Sequence, residues 1–189
     1  MCHSLQRGFS LIELTIVIAL FGILAAMAMP TFSTFIANAR IRTAAEGMLN
    51  GLQIARAEAV RRNTYVNFQI GADNISWNVV AADGTILQTR GAEPGALVTP
   101  TVRPAGTTSA TFSGMGRMVK LVDSGATQVD PPAQPNAFAL RYTSATNGSR
   151  PMCVVVIANT PRLCDPGRDQ FDPQGCYFPG SATKIADCL

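Results

Sequence analysis

The sequence predicts an α+β fold: one long N-terminal α-helix, half membrane-spanning and half amphipathic, packed on an antiparallel β-sheet head. Three observations predict it. No charged residue occurs from Leu14 to Ala39. An apolar stripe at spacings of three and four then runs on to residue 62. After Asn63 the period changes to two, interrupted by turn-forming residues. The chain of 189 residues suits one head plus an anchor. It divides into a leader at 1–8, a transmembrane helix at 9–36, and a head at 37–189 that includes the C-terminal half of the helix.

The first eight residues read MCHSLQRG, followed by FSLIELTIVIALFGILAAMAMP. A helix over Phe9 to Ile36 would be roughly 42 Å long, against roughly 30 Å for a bilayer core. Arg7 precedes it, so the N-terminus is expected in the cytoplasm and the head outside. A secretory signal peptide is a rival, with Ala26 and Ala28 loosely fitting a cleavage site. Glu13 argues against it. A carboxylate in a membrane helix is expensive and marks function, with a partner to be named.

The helix continues as ANARIRTAAEGMLNGLQIARAEAVRR. Ile41, Ala45, Met48, Leu52, Ala55 and Ala59 form its apolar stripe, the expected seat of the sheet. Glu58 and Arg62 are spaced to pair. Gly47 and Gly51 weaken the helix but allow a strand to approach closely. Pro30 removes one backbone hydrogen bond and bends the helix. Asn63 is the expected stop.

In the head, Tyr65 to Ile70 alternates. A turn at Gly71–Asn74 leads to a strand over 75–80, and Asp83-Gly84 signals a hairpin into 85–90. Further strands are expected near 97–102, 109–113, 117–122, 137–143 and 152–158. Loops rich in Gly, Pro, Ser and Thr separate them, 130–135 among them.

The string Gly8-Phe9-Ser10-Leu11-Ile12-Glu13 resembles the type III signal of type IV pilins and pseudopilins. That resemblance implies cleavage between Gly8 and Phe9 by a prepilin peptidase and methylation of the new N-terminal Phe9. It places Glu13 at the family's glutamate and Pro30 at a proline many members share; both are expected to act in filament assembly. In lipid the Phe9 amine and the Glu13 carboxylate each need a partner. Glu13 meeting the amine of a neighbouring subunit would select one axial register. Its competitor is a Glu13 that snorkels to the interface and pairs with its own N-terminus.

Two later strings and the Ala55–Val60 helix end are similar to the FimT/FimU and GspH-type minor pilins: Phe112-Ser113-Gly114-Met115-Gly116-Arg117, and Val155 through Cys164. The resemblance implies a minor pilin that enters or primes a type IV pilus. Its alternatives are a GspH-type pseudopilin of type II secretion and a pilus-tip DNA-binding or adhesive subunit. The implied partners are major and minor pilins, the prepilin peptidase, the inner-membrane assembly platform, and membrane lipid before assembly. The implied location is the inner membrane, single-pass with the N-terminus inside, then an extracellular pilus or a periplasmic pseudopilus. No cofactor is implied.

Some FimT members bind DNA through a G-R-x-R element. Here that place reads Pro161-Arg162-Leu163-Cys164, without the second arginine. Arg150, Arg162 and Arg168 remain candidate DNA contacts, giving weak, salt-sensitive binding. The formal net charge of +3 is small, which favours loop solvation for these arginines.

An enzyme is not expected. The only histidine is His3, in the leader, so the mature chain lacks the commonest general base. Asp165, Asp169 and Asp172 lack the glycine and terminal glutamate of a calcium loop. Gly114 and Gly116 lack the strand–helix setting of a phosphate loop. Cys153, Cys164, Cys176 and Cys188, at spacings of 11, 12 and 12, read as two disulfides in an exported head. Zinc is the weaker reading, since no C-x-x-C pair occurs. The expected bonds join chain neighbours: Cys153 with Cys164, and Cys176 with Cys188.

Overall fold

The computed structural model describes residues 9–91, 98–123, 128–129, 138–157, 159–177, 185 and 188. The leader at 1–8, including Gly8, and the loop at 130–135 lie outside the described residues. Helix α1 spans Leu11–Arg62. Ten strands follow: β1 Val66–Ile70, β2 Trp77–Ala81, β3 Ile86–Arg90, β4 Thr99–Arg103, β5 Thr107–Phe112, β6 Met118–Asp123, β7 Gln128–Val129, β8 Phe138–Thr143, β9 Met152–Ile157 and β10 Thr160–Cys164. They form two antiparallel sheets, of order β3-β2-β1-β5-β6-β7 and β10-β9-β8-β4. The expected α+β class holds, with two sheets rather than one.

The second half of α1 lies on both sheets. Ile41, Ala45, Met48, Leu52, Ala55 and Ala59 are all fully buried, so the stripe of threes and fours is the core face. Across it stand Val66, Phe68, Trp77, Val79 and Phe112 from the first sheet, and Leu140, Tyr142, Val154 and Val156 from the second. Close approach occurs at Gly51, where a Cβ would sit 2.6 Å from the Trp77 ring and 2.7 Å from that of Phe68. The helix ends where expected. Asn63 takes the left-handed conformation (φ 48°, ψ 41°) and its N–H caps the carbonyls of Ala59 and Val60. A short polar side chain tolerates that region.

The Phe112–Arg117 string forms the β5–β6 turn, seated against the end of α1. Gly116 has φ +70°, and its carbonyl accepts the Arg56 Nε–H at 3.0 Å. A β-branched residue would be strained there.

β9 is buried on both faces. Met152, Val154 and Val156 face the helix-side core. Cys153, Val155 and Ile157 form a second cluster with Ala139, Cys164 and, from the tail, Cys176, Ile185 and Cys188. This double burial accounts for six consecutive apolar residues without alternation. β10 lies at the sheet edge, where Pro161 is tolerated.

The disulfide pairing corrects the expectation. Cys153 bonds Cys188, and Cys164 bonds Cys176, with Cα–Cα separations of 6.0 and 5.0 Å. Cys153 and Cys164 do meet, as direct cross-strand partners. Cys176 and Cys188 pack on their shared face, and each offers one of them a sulfur. Bonding strand to tail anchors the tail to the sheet. Neighbour pairing would have left it held only by its own loop.

Candidate functional site

The first 25 described residues, Phe9 to Ser33, are all exposed, although most are apolar. The helix they open is long and apolar enough to cross a membrane. Burial begins only at Thr34, Ile36 and Ala37, where the head takes hold. Thr34 Oγ1 donates to the Asn147 carbonyl at 3.3 Å, and Asn38 Oδ1 accepts from the Arg150 N–H at 2.7 Å. One continuous helix is therefore bare along one half and sheet-bound along the other.

The start of α1 also carries a helix cap. Ser10 is the N-cap, and its hydroxyl accepts the Glu13 N–H at 3.2 Å. Ser10 and Glu13 stand at the spacing of a capping box, a signal present in the sequence. Glu13 lies in the first turn, where a carboxylate also complements the helix dipole. Its side chain is exposed, so the geometry leaves it accessible to a second chain. Phe9, four residues earlier, is 85% exposed.

Pro30 lies inside the helix, which continues through it. The hydroxyls of Ser33 and Thr34 both donate to the Pro30 carbonyl, at 2.8 and 3.2 Å. These side chains tie down the turn that follows the missing N–H.

The three arginines considered for DNA fall into different settings. Arg162 is half-buried and donates Nη2 to the Tyr177 carbonyl; burial pushes its pKa down. Arg168 is held by Asp172 at 2.6 Å and Asp165 at 3.5 Å. Arg150 and Arg168 share a cleft of about 510 Å³ with Asn38, Arg42 and Gln174. Arg42 there is paired with Glu46 at 2.7 Å. Thus Arg150 and Arg168 come together, Arg162 does not join them, and acidic residues neutralise much of the cleft. Of the aspartates read as turn residues, Asp165 is buried and accepts the Gly167 N–H at 2.8 Å.

At the end of the helix Glu58 pairs with Arg61 at 2.6 Å and Arg62 at 2.9 Å. Hydrogen bonds from Arg61 and then Arg62 hold its pKa at about 2.

Comparison with known proteins covers both halves of the chain. The family model described as Type II transport protein GspH matches residues 44–160, and the prokaryotic N-terminal methylation motif matches residues 3–29. Among curated proteins, the Type IV major fimbrial protein FimA of Dichelobacter nodosus is 53% identical over 57 residues, 29% of this chain and 34% of FimA. The match thus spans about a third of the length of that relative. Among solved structures, the type IV minor pilin FimU of Pseudomonas aeruginosa aligns with a TM-score of 0.50 and 20% identity, over 76% of this chain and 99% of FimU. The minor pseudopilin EpsH of the Vibrio cholerae type 2 secretion system aligns at 0.45 and 15%, over 68% and 99%.

Proposed function

Because this chain belongs to the GspH family, within the type IV pilins and pseudopilins, we propose that it is a minor pilin that enters or primes a type IV pilus. The observation that carries the proposal is the division of α1. Its exposed apolar half needs lipid or other helices to cover it, and its second half fixes a folded head to that segment. A subunit built this way rests in the inner membrane and passes into a filament without refolding its head.

On this reading a prepilin peptidase cuts between Gly8 and Phe9, and Phe9 is then methylated. Glu13 pairs with the Phe9 amine of a neighbouring subunit, setting the axial register. Major and minor pilins and the assembly platform are its partners. The description of the matching family supports a second reading, a subunit of a type II secretion pseudopilus. A DNA receptor has less support, since Arg162 and Arg168 are already engaged by the fold.

Gene deletion separates these readings. Loss of surface pili supports the first, loss of secreted proteins with pili intact supports the second, and lost DNA uptake with both intact supports the third. Intact mass of the membrane-extracted protein tests processing. The expected mass begins at a methylated Phe9. Retention of Met1 to Gly8, or cleavage near Ala28, overturns it.

A further inference from the structure

The four cysteines form more than two separate bonds. Their sulfurs all lie within 4.8 Å of one another, and all four residues are buried. The spacing in the chain gives no metal-binding knuckle. The topology supplies one instead, because Cys153 and Cys164 face each other across β9 and β10, and Cys176 and Cys188 arrive from the tail. Two arginines accompany the cluster. Arg141 is the cross-strand partner of Cys153 on β8. Arg162 precedes Cys164 by two residues and so shares its face of β10. Among the described residues, the buried Nε groups of both arginines lack a hydrogen-bond acceptor.

From this arrangement we infer that the thiol form of the head is a tetrathiolate site for a soft divalent cation such as Zn²⁺. Zinc–sulfur bonds of about 2.3 Å place tetrahedral sulfurs about 3.8 Å apart. The bonded pairs would open to that distance, and the others would close by at most about 1 Å from their present limit. Binding needs no electron donor or acceptor, because the chain is synthesised with thiols. Four S–H bonds break, four S–Zn bonds form, and four protons leave to solvent. The product carries two negative charges. The guanidinium groups of Arg141 and Arg162 offset them, and their buried N–H groups find acceptors in the thiolates. Metal and disulfides are then alternative clasps that hold the tail in one place.

The test uses the full chain in detergent with Cys2→Ser, reduced by a phosphine under anaerobic conditions, and Co²⁺ alone as the probe. The expected result is thiolate-to-cobalt charge-transfer absorption that saturates at one Co²⁺ per chain, with tetrahedral visible bands that Zn²⁺ abolishes. Cys176→Ser with Cys188→Ser should remove the tetrahedral spectrum while strand circular dichroism persists. Arg141→Gln with Arg162→Gln should weaken Co²⁺ binding about tenfold. A reduced chain that gives no saturable charge-transfer band, whether or not it keeps its strand signal, overturns the inference. So does an unchanged spectrum in the double serine variant.

Discussion

The indole N–H of Trp77 donates to the carbonyl of Gly47, 3.1 Å away. The bond joins β2 to the second half of α1 at a carbonyl that already serves the helix ladder. One turn on, the same ring presses on Gly51. The first sheet is thereby fixed to the helix in translation as well as distance.

Gly51→Ala should therefore destabilise the head. Alanine gains about 1 kcal/mol of helix propensity. Its Cβ would meet the Trp77 and Phe68 rings at 2.6 to 2.8 Å, and overpacking of that kind costs about 1–3 kcal/mol. The expected net effect is a lower urea midpoint with an unchanged slope. An unchanged or raised midpoint would contradict the packing described.

Glu58 gives a pH-dependent prediction. Its pKa is lowered to about 2 in the fold. A lowered carboxylate stabilises the fold above its ordinary pKa and loses that contribution as pH falls through the ordinary value towards 2. The pairs with Arg61 and Arg62 are on the helix surface, where solvent and salt screen them, so their contribution to stability is small. Glu58→Gln should be slightly less stable than the parent at pH 7, and the difference should close towards pH 2. A carboxyl carbon titration centred near 4.5 would show that the pairs do not persist in solution.

The tail bonds differ in expected weight. Cys153–Cys188 closes a sequence separation of 35, and Cys164–Cys176 one of 12. In the chain-entropy model these are worth about 4 and about 3 kcal/mol. Non-reducing peptide mapping should recover both pairs. The Cys153→Ser, Cys188→Ser variant should expose the tail to proteolysis more than the Cys164→Ser, Cys176→Ser variant does. Recovery of a Cys153–Cys164 peptide from native protein would reverse the assignment.

Glu13→Gln should leave the head folded, because Glu13 lies far from the core in the exposed first turn. Its incorporation into sheared filaments should fall sharply. Ser10→Ala is the control for local capping, which is worth about 1 kcal/mol. If Ser10→Ala blocks incorporation as strongly as Glu13→Gln, helix initiation and not intersubunit pairing explains the role of Glu13.

Much of the fold was legible because its signals are local. The buried stripe, the stop at Asn63 and the Asp83-Gly84 hairpin each depend on a few neighbouring residues. β2 begins at Trp77, later than expected, because Asp73 Oδ1 accepts the N–H groups of Ile75 and Ser76 and keeps them in the turn. β10 was hidden by Pro161, which reads as a turn away from a sheet edge. The division into two sheets and the choice of cysteine partners depend on contacts across tens of residues. No local pattern encodes them. The exposed helix was readable from the absence of charge between Leu14 and Ala39. The separation of Arg162 from Arg150 and Arg168 follows only from which face of β10 each element meets.

The strand-to-tail bonds also impose a schedule. On the proposed route across the membrane the chain emerges from its N-terminal side, so Cys153 and Cys164 come out first, and they come out facing partners. Cys188 follows Cys164 by 24 residues (188 − 164 = 24), about 1–5 s at ordinary rates of synthesis. For the first half of that interval, until Cys176 emerges 12 residues after Cys164, the pair free to oxidise outside the membrane is Cys153 with Cys164, which the finished head lacks. Correct maturation therefore depends on timing: either oxidation waits for the tail, or an early bond is exchanged once the tail arrives.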